Sequence, residues 1–247
     1  MESIYEYNVK FGVFCRNSLD TPRNYCDNVS RQVSVARIKS EREIKIMRKI
    51  SATGTRHRIA VPYMSQEMSS ILADVERETN DPALAQSIYF GPTALTHIRR
   101  LIEMGGTIVT DTMLVANDID ETLLGHNGAK VVCFIDEPQV ISLAEQRRVT
   151  RAEVAVDYGL ALPGPKLMVV GSAPTAIHRM VQRRMHEPMS DVCVLAASTG
   201  FASVVQLKER LMDSDLTSIV VRGKKGGVPA TIAIVNAILR EIAKNEK

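Results

Sequence analysis

The chain has 247 residues, of which 45% are hydrophobic, and it carries a formal net charge of +3. This length suits one domain, or one domain with an extension, and so slight a charge does not by itself indicate binding to nucleic acid. No apolar run approaches the roughly 18 residues of a membrane-spanning helix, and the N-terminus lacks the basic and apolar regions of a signal peptide. We therefore expect a soluble protein with no nucleic-acid or membrane partner.

The four cysteines, Cys15, Cys26, Cys133 and Cys193, are widely spaced along the chain. Cys133 and Cys193 lie inside apolar runs, where cysteine behaves as a small core residue. This pattern is typical of the reducing cytoplasm rather than of a disulfide framework. We therefore expect a cytoplasmic protein. The histidines show no H-x-x-x-H spacing, so the sequence predicts no metal site.

The first 40 residues differ in pattern from the rest of the chain. Residues 3–16 are compatible with a strand, and residues 29–48 are strongly basic and compatible with a helix. A folded extension, a disordered arm and an alternative start site all fit this pattern. We expect residues 1–40 to form an N-terminal extension and residues 41–247 to form an α/β domain.

From residue 90 onward, short apolar runs alternate with segments of helical spacing. The runs are nearly continuous in apolar residues, as in strands that are buried on both faces. They are Thr107–Thr110, Lys130–Ile135, Lys166–Val170, Val192–Ala196 and Ser218–Val221. The helical segments are Thr93–Met104, Gln139–Arg147, Arg151–Leu160, Pro174–His186, Ala202–Met212 and Pro229–Lys244. This alternation predicts a single α/β domain with a five-stranded, mainly parallel sheet flanked by helices.

Polar and glycine-rich segments follow each of these runs. They are Asp111-Thr112, Asp136–Pro138, Gly171–Thr175, Ser198–Phe201 and Arg222–Gly227. In an open parallel sheet, ligands bind beyond the carboxyl ends of the strands, so we expect these segments at one edge. The third leads straight into a helix, whose free N–H groups suit a carboxylate or a phosphate. The last adds three cations among glycines, and together the segments predict a cleft for an anionic ligand.

Each segment also has a purely structural interpretation. A glycine after a strand is often only part of a turn, and Arg222, Lys224 and Lys225 are equally compatible with a solvated surface. The nucleotide-binding patterns G-x-G-x-x-G and G-x-x-x-x-G-K-[ST] are absent from the chain. A ligand class therefore follows only from the segments taken together.

Taken in order, these segments resemble the precorrin-8X (cobalt-precorrin-8) methylmutase family. The strongest matches are Val170–Ala176, close to the family's I-G-N-A-P-T-A, and Val221–Gly227, which fits V-R-G-x-x-G-G. Looser matches to family motifs are Tyr89–Pro92, Gly106–Ala116, Val132–Pro138, Thr150-Arg151 and Thr199–Lys208. The resemblance covers residues 40–247, and the two strongest motifs at the family's spacing are highly specific together.

The resemblance implies an isomerase of cobalamin biosynthesis. The family reaction moves a methyl group from C-11 to C-12 of precorrin-8X or cobalt-precorrin-8 and gives hydrogenobyrinate or cobyrinate. It also implies a homodimer with the corrin-precursor pocket at the subunit junction, and neither a metal nor an organic cofactor. A histidine is the family's expected proton donor to the macrocycle.

Ungapped matching to the family assigns the remaining site residues. The family serine falls on Ser51, the arginine after it on Arg56, and the arginine of the T-R pair on Arg151. The family histidine falls on Arg77, and Asp74 stands at a family arginine, so both positions depart from the pattern. The expected substrate contacts are Ser51, Arg56, Asp111, Thr112, Arg151, Gly171, Ser172, Thr175, Gly200, Arg222, Gly223 and Lys224.

Arg77 has two interpretations. A guanidinium stays charged and is a poor proton donor near neutral pH, but it can stabilise negative charge that develops on the macrocycle. Alternatively, Arg77 is an exposed helix residue paired with Asp81 at i,i+4. The first interpretation predicts a catalytic Arg77 in a methylmutase. The second favours a non-catalytic or altered-activity corrinoid-binding protein. An unrelated anion-binding enzyme is a third hypothesis, which the ordered motif matches disfavour.

Overall fold

In a computed structural model of the protein, which describes residues 65–244, helices and strands alternate along the chain. The strands are β1 (Ile88–Phe90), β2 (Thr107–Thr110), β3 (Lys130–Cys133), β4 (Lys166–Val170), β5 (Val192–Ala196) and β6 (Thr217–Val221). The helices are α1 (Gln66–Thr79), α2 (Pro82–Gln86), α3 (Ala94–Glu103), α4 (Met113–Asp118), α5 (Pro138–Arg147), α6 (Arg151–Ala161), α7 (Pro174–Arg184), α8 (Ala202–Asp213) and α9 (Val228–Lys244). A 3-10 helix spans Glu121–Leu124. No helix in this part of the chain is both long enough and apolar enough to cross a membrane.

The strands form one sheet in the order β1-β6-β5-β4-β2-β3. All neighbouring pairs are parallel except β1 and β6, which are antiparallel. Because β4, β5 and β6 are parallel neighbours, the loops that follow them leave the same edge of the sheet. This confirms that Gly171–Thr175, Ser198–Phe201 and Arg222–Gly227 share one edge.

Helices cover both faces of the sheet because alternate residues of each strand point to opposite faces. In β4, Leu167 and Val169 pack in the core formed with α1, α3, α4 and α9. Met168 and Val170 pack in the core formed with α6, α7 and α8. Helix α5 packs on α6 through a smaller apolar cluster. The continuous apolar character of the central strands thus reflects burial on both sides.

The predicted fold class is confirmed, with six strands in the sheet instead of the five predicted. The additional strand, Ile88–Phe90, has only three residues, too few for a periodic pattern, and it pairs antiparallel with β6. The predicted strand Lys130–Ile135 ends earlier, at Cys133, because Phe134 and Ile135 enter the turn that precedes α5. The expected extension at residues 1–40 lies outside the described residues. The predicted strand at 3–16 and the predicted helix at 29–48 lie outside them too.

Candidate active site

Three loops meet at the carboxyl edge of the central strands. The N–H group of Ala197, after β5, donates a hydrogen bond of 2.8 Å to the carbonyl of Val170 at the end of β4. The N–H group of Gly227, after β6, donates a hydrogen bond of 2.6 Å to the carbonyl of Ala197. These two bonds connect the ends of β4, β5 and β6. The two segments with the most specific motifs and the loop after β5 are therefore joined at this edge.

The loop after β4 is held by the buried carboxylate of Asp111. One oxygen of Asp111 accepts the N–H of Gly171 at 3.0 Å, and the other accepts those of Ser172 and Ala173 at 2.7 Å each. Asp111 is only 5% exposed, and the N–H groups that it accepts belong to the loop before α7, which begins at Pro174. These three N–H groups are therefore not free for a ligand, and anion binding by the N–H groups of α7 itself stays a prediction. Asp111 reaches this loop because it follows β2, which pairs in parallel with β4.

Gly226 and Gly227 allow the loop after β6 to lie against the loop after β5. Their φ angles are +135° and +99°, values that side chains rarely permit. A Cβ atom at Gly226 would lie 1.8 Å from the carbonyl oxygen of Ala197, which excludes any larger residue without movement of the backbone. Close approach of two backbones thus explains Gly226 of V-R-G-x-x-G-G, and the positive φ explains Gly227.

Lys208 connects the same two loops from within the core. Its side chain is 1% exposed, and its Nζ donates hydrogen bonds to the carbonyls of Ser198 at 3.1 Å and Lys225 at 3.2 Å. Burial lowers the pKa of Lys208 to about 8. Lys208 matches a family motif in the sequence and is not among the predicted substrate contacts. Its position among Val204, Leu207 and Leu211, on the apolar stripe of α8, was the signal that could have identified it.

The loop after β6 carries three cationic side chains. The guanidinium of Arg222 lies 5.0 Å from the ring centroid of Tyr89, a cation–π contact that orients an exposed side chain. Lys225 donates to both carboxylate oxygens of Asp81 at 2.6 Å, and this hydrogen bond is the main cause of the lowered pKa of Asp81. Gly223 lies between them with a φ of +69°, and Lys224 is exposed.

The N-termini of α6 and α7, which carry Arg151 and Thr175, lie close together. Thr150 caps α6 through a reciprocal pair of contacts with Glu153, and its hydroxyl lies 3.0 Å from the hydroxyl of Thr175. Arg151, the first residue of α6, forms an ion pair of 3.0 Å with Asp136, and both side chains are more than half exposed. This guanidinium is accessible to a second anion.

Arg77 is paired with Asp74 and not with Asp81. It lies on the last turn of α1, its side chain is 67% exposed, and it forms an ion pair of 2.9 Å with Asp74. The expected partner of Arg77, Asp81, is wrong, because Asp81 caps the next helix and pairs with Lys225. The exposed helix position expected in the same alternative is what the structure has. Asp74 thus neutralises part of the charge of Arg77.

Two other predicted residues have local structural roles. The hydroxyl of Thr112 caps α4 by accepting the N–H of Val115 at 3.2 Å. Gly200 packs against Val204, whose side chain would lie 2.3 Å from an added Cβ atom. Ser51 and Arg56 lie outside the described residues. Among residues 65–244, no three histidine, cysteine or acidic side chains come together as a possible metal site.

Two clefts open beside these loops. One, of about 610 Å³, is lined by residues of α1, α2, α4 and α9, namely Glu78, Thr79, Asp81, Leu84, Leu114, Asp118, Gly226, Val228, Pro229, Ala230, Ile232 and Ala233. The other, of about 310 Å³, lies between α7 and α8 and includes Thr175 and His178. Leu114 and Phe201, which follow β2 and β5, are 67% and 85% exposed. This edge therefore combines apolar surface with cations, as an amphiphilic anion requires.

The sequence profile of the precorrin-8X methylmutase family matches residues 41–241. The chain belongs to this family of isomerases. It is 30% identical over 183 residues to the cobalt-precorrin-8 methylmutase of Methanothermobacter thermautotrophicus, covering 71% of this chain and 85% of the relative. It is also 30% identical over 178 residues to the cobalt-precorrin-8 methylmutase of Salmonella typhimurium, covering 72% of this chain and 83% of the relative.

Solved structures of the family share the fold. The precorrin-8X methylmutase of Thermus thermophilus superposes with a TM-score of 0.65 at 26% identity, covering 74% of this chain and 89% of its own. A protein described as related to precorrin-8X methylmutase superposes with a TM-score of 0.67 at 24% identity, covering 72% of this chain and 94% of its own. The mixed α/β sheet is thus the sheet of this family.

Proposed function

We propose that this protein catalyses the shift of a methyl group from C-11 to C-12 of precorrin-8X or cobalt-precorrin-8, giving hydrogenobyrinate or cobyrinate. One carbon–carbon bond breaks at C-11 and one forms at C-12, so the atoms balance without a co-reactant. The observation that carries the proposal is the meeting of three family motifs, Gly171–Thr175, Ser198–Phe201 and Arg222–Gly227, at one sheet edge. The non-catalytic corrinoid carrier is not favoured, since the similar proteins are named as enzymes.

The substrate's carboxylates are assigned to the exposed cations of this edge. A corrin precursor carries acetate and propionate groups around its rim, and arginine binds carboxylates with two parallel hydrogen bonds. Arg151 and Arg222 are accessible for this purpose, and the exposed Lys224 adds a point charge. Ser172 and Thr175 contribute hydroxyl groups, and Thr112, Gly200 and Gly223 provide short side chains or bare backbone near the ligand.

Asp111 and Gly171 support the site rather than bind an anion. Asp111 holds the loop after β4 through three N–H groups, and a Cβ atom at Gly171 would lie 2.7 Å from the hydroxyl oxygen of Thr231. The family resemblance also implies Ser51 and Arg56 as substrate contacts. The exposed apolar side chains of Leu114 and Phe201 suit the flat face of a macrocycle.

We also propose that the enzyme acts as a homodimer, with the partner completing each pocket. The clefts beside the loops are open on one side, whereas a macrocyclic ligand is normally enclosed on most of its surface. A two-fold junction would supply the second wall. Sedimentation at micromolar protein with bound ligand tests this, and a ligand-saturated monomer would contradict it. We further propose a cytoplasmic location, which the free thiols of Cys133 and Cys193 support.

Direct turnover tests the reaction. Purified protein is mixed with cobalt-precorrin-8 or precorrin-8X, and the absorption spectrum is followed over time. We expect the precursor spectrum to convert into that of cobyrinate or hydrogenobyrinate at a rate proportional to enzyme. A protein that binds the precursor and shifts its spectrum without forming product would instead be a carrier.

Arg77 is proposed to act on the transition state through its charge. We expect Arg77→Ala to lower turnover more than substrate affinity, since an electrostatic effect on developing charge does not require tighter ground-state binding. Arg77→His, which restores the family residue, should raise turnover above that of the natural protein. Arg100→Ala is the matched control, because Arg100 is also an exposed arginine and lies on a different helix, α3. If Arg77→Ala leaves both turnover and affinity unchanged, Arg77 is a surface residue paired with Asp74.

A further inference from the structure

Lys208 is a buried cation directly behind the proposed substrate surface. Its ammonium group lies within the core on α8, 1% exposed, and has hydrogen-bond acceptors in both the loop after β5 and the loop after β6. Lysine is rarely buried to this degree unless a carboxylate neutralises it. Among the residues that the structure describes, no carboxylate lies within ion-pair distance, and burial is the one cause of its lowered pKa.

The two acceptors of Lys208 determine how the loops present their backbone. In a trans peptide the carbonyl and the following N–H point in opposite directions. Since the carbonyls of Ser198 and Lys225 point inward to Lys208, the N–H groups of Thr199 and Gly226 point outward. Within residues 65–244, neither N–H donates to another residue. Both are therefore available to a ligand on the outer side of the loops.

Polar capacity is also unused on the inner side. The ammonium has three N–H bonds and two acceptors, and the hydroxyl of Ser198 is fully buried with no hydrogen-bond partner in the described part of the chain. An apolar residue would fill this position on the stripe of α8 without the penalty of burying a charge. The charge and the two inward hydrogen bonds are what distinguish lysine from such a residue.

We propose that Lys208 is a positioning residue for carboxylate recognition. It fixes the loops after β5 and β6 so that the N–H groups of Thr199 and Gly226 face the substrate, and its uncompensated charge attracts the substrate's carboxylates. This inference rests on the proposed corrin-precursor substrate. Because the ammonium does not touch the ligand, its effect falls on affinity for carboxylates rather than on the reacting carbons.

Two variants separate the tether from the charge. Lys208→Met removes both, and Lys208→Gln keeps two N–H donors for the carbonyls of Ser198 and Lys225 while removing the charge. Lys166→Met is the matched control, because Lys166 is also buried and lies at the opposite edge of the sheet, at the start of β4. Circular dichroism establishes that each variant is folded before binding is measured.

The probes are cobyrinate and the same corrin with its carboxylates converted to amides, each titrated by its absorption spectrum. We expect both Lys208 variants to lose about tenfold or more in affinity for cobyrinate and much less for the amidated corrin, since the lost interaction is electrostatic. Lys208→Gln should retain more affinity for the amidated corrin than Lys208→Met. Lys166→Met should bind both corrins as the natural protein does.

The outcomes distinguish failure of the inference from failure of the proposed function. If the natural protein binds neither corrin, the proposed substrate is wrong. If it binds cobyrinate and the Lys208 variants bind equally well, the positioning role is wrong. Equal losses for the two corrins would also overturn the inference, because they would indicate a structural role that does not depend on the carboxylates.

Discussion

Replacement of Asp111 by asparagine measures how far the site depends on one buried carboxylate. Asp111 accepts three backbone N–H groups, and an asparagine amide can accept only at its single oxygen. In the more favourable orientation the amide oxygen keeps the bonds from Ser172 and Ala173. The amide NH2 then faces the buried N–H of Gly171, which loses its acceptor.

The expected loss of stability follows from these three bonds. Hydrogen bonds to a charged acceptor contribute about 1.5–3 kcal/mol each, and neutral ones about 0.5–1.5 kcal/mol. Weakening two bonds and losing the third should lower the free energy of unfolding by about 3 kcal/mol, since such contributions are not additive. For a domain of about 150–250 residues, this corresponds to a fall in Tm of about 6–12 °C.

Thermal and urea unfolding followed by circular dichroism provide the measurement. Asp120→Asn is the matched control, because Asp120 is an exposed cap residue and asparagine caps helices as well as aspartate does. The control should stay within about 0.5 kcal/mol of the natural protein. If Asp111→Asn is equally mild, the loop after β4 does not depend on the carboxylate and our account of Gly171–Thr175 is refuted.

Three further predictions concern other parts of the site. Gly226→Ala should destabilise the protein by at least about 3 kcal/mol, because its Cβ would overlap the carbonyl of Ala197, whereas Gly223→Ala, with open space around it, should cost only about 1–2 kcal/mol in urea unfolding. The pKa of Lys208 is lowered from 10.5 to about 8, so Lys208 keeps its proton to a higher pH in the unfolded chain than in the folded protein. Unfolding free energy should therefore rise between pH 8 and 10.5, by up to about 3 kcal/mol relative to Lys208→Met, and parallel pH profiles would contradict this. Arg151→Ala should weaken cobyrinate binding by about 1–3 kcal/mol in spectral titration, yet change unfolding by less than about 1 kcal/mol, as the ion pair is exposed. Unchanged affinity would remove Arg151 from the site.

Local patterns along the chain were sufficient for most of the fold. The strands Thr107–Thr110, Lys166–Val170 and Val192–Ala196 begin and end where continuous apolar runs predicted them. A run buried on both faces needs no information about its partners to be identified as a strand. The strand Ile88–Phe90 was not predicted, because a three-residue strand acquires its identity only from pairing with β6.

The location of the candidate site was also predictable, because it depends on strand direction. Parallel strands share a carboxyl edge, so the loops after β4, β5 and β6 had to meet once the sheet was recognised. The family motifs in these loops then indicated the substrate class. The assignment of Arg151 and Arg222 to exposed positions at this edge agrees with their predicted availability to an anion.

Only the tertiary structure decided which polar groups satisfy one another. Asp111 and Gly171 are 60 residues apart in the chain, and their hydrogen bond arises from the pairing of β2 with β4. Lys225 and Asp81 are 144 residues apart in the chain and form an ion pair, and Arg77 pairs with Asp74 instead. Sequence determines which residues can donate, accept or carry charge, whereas the distances that choose among those partners exist only after the chain has folded.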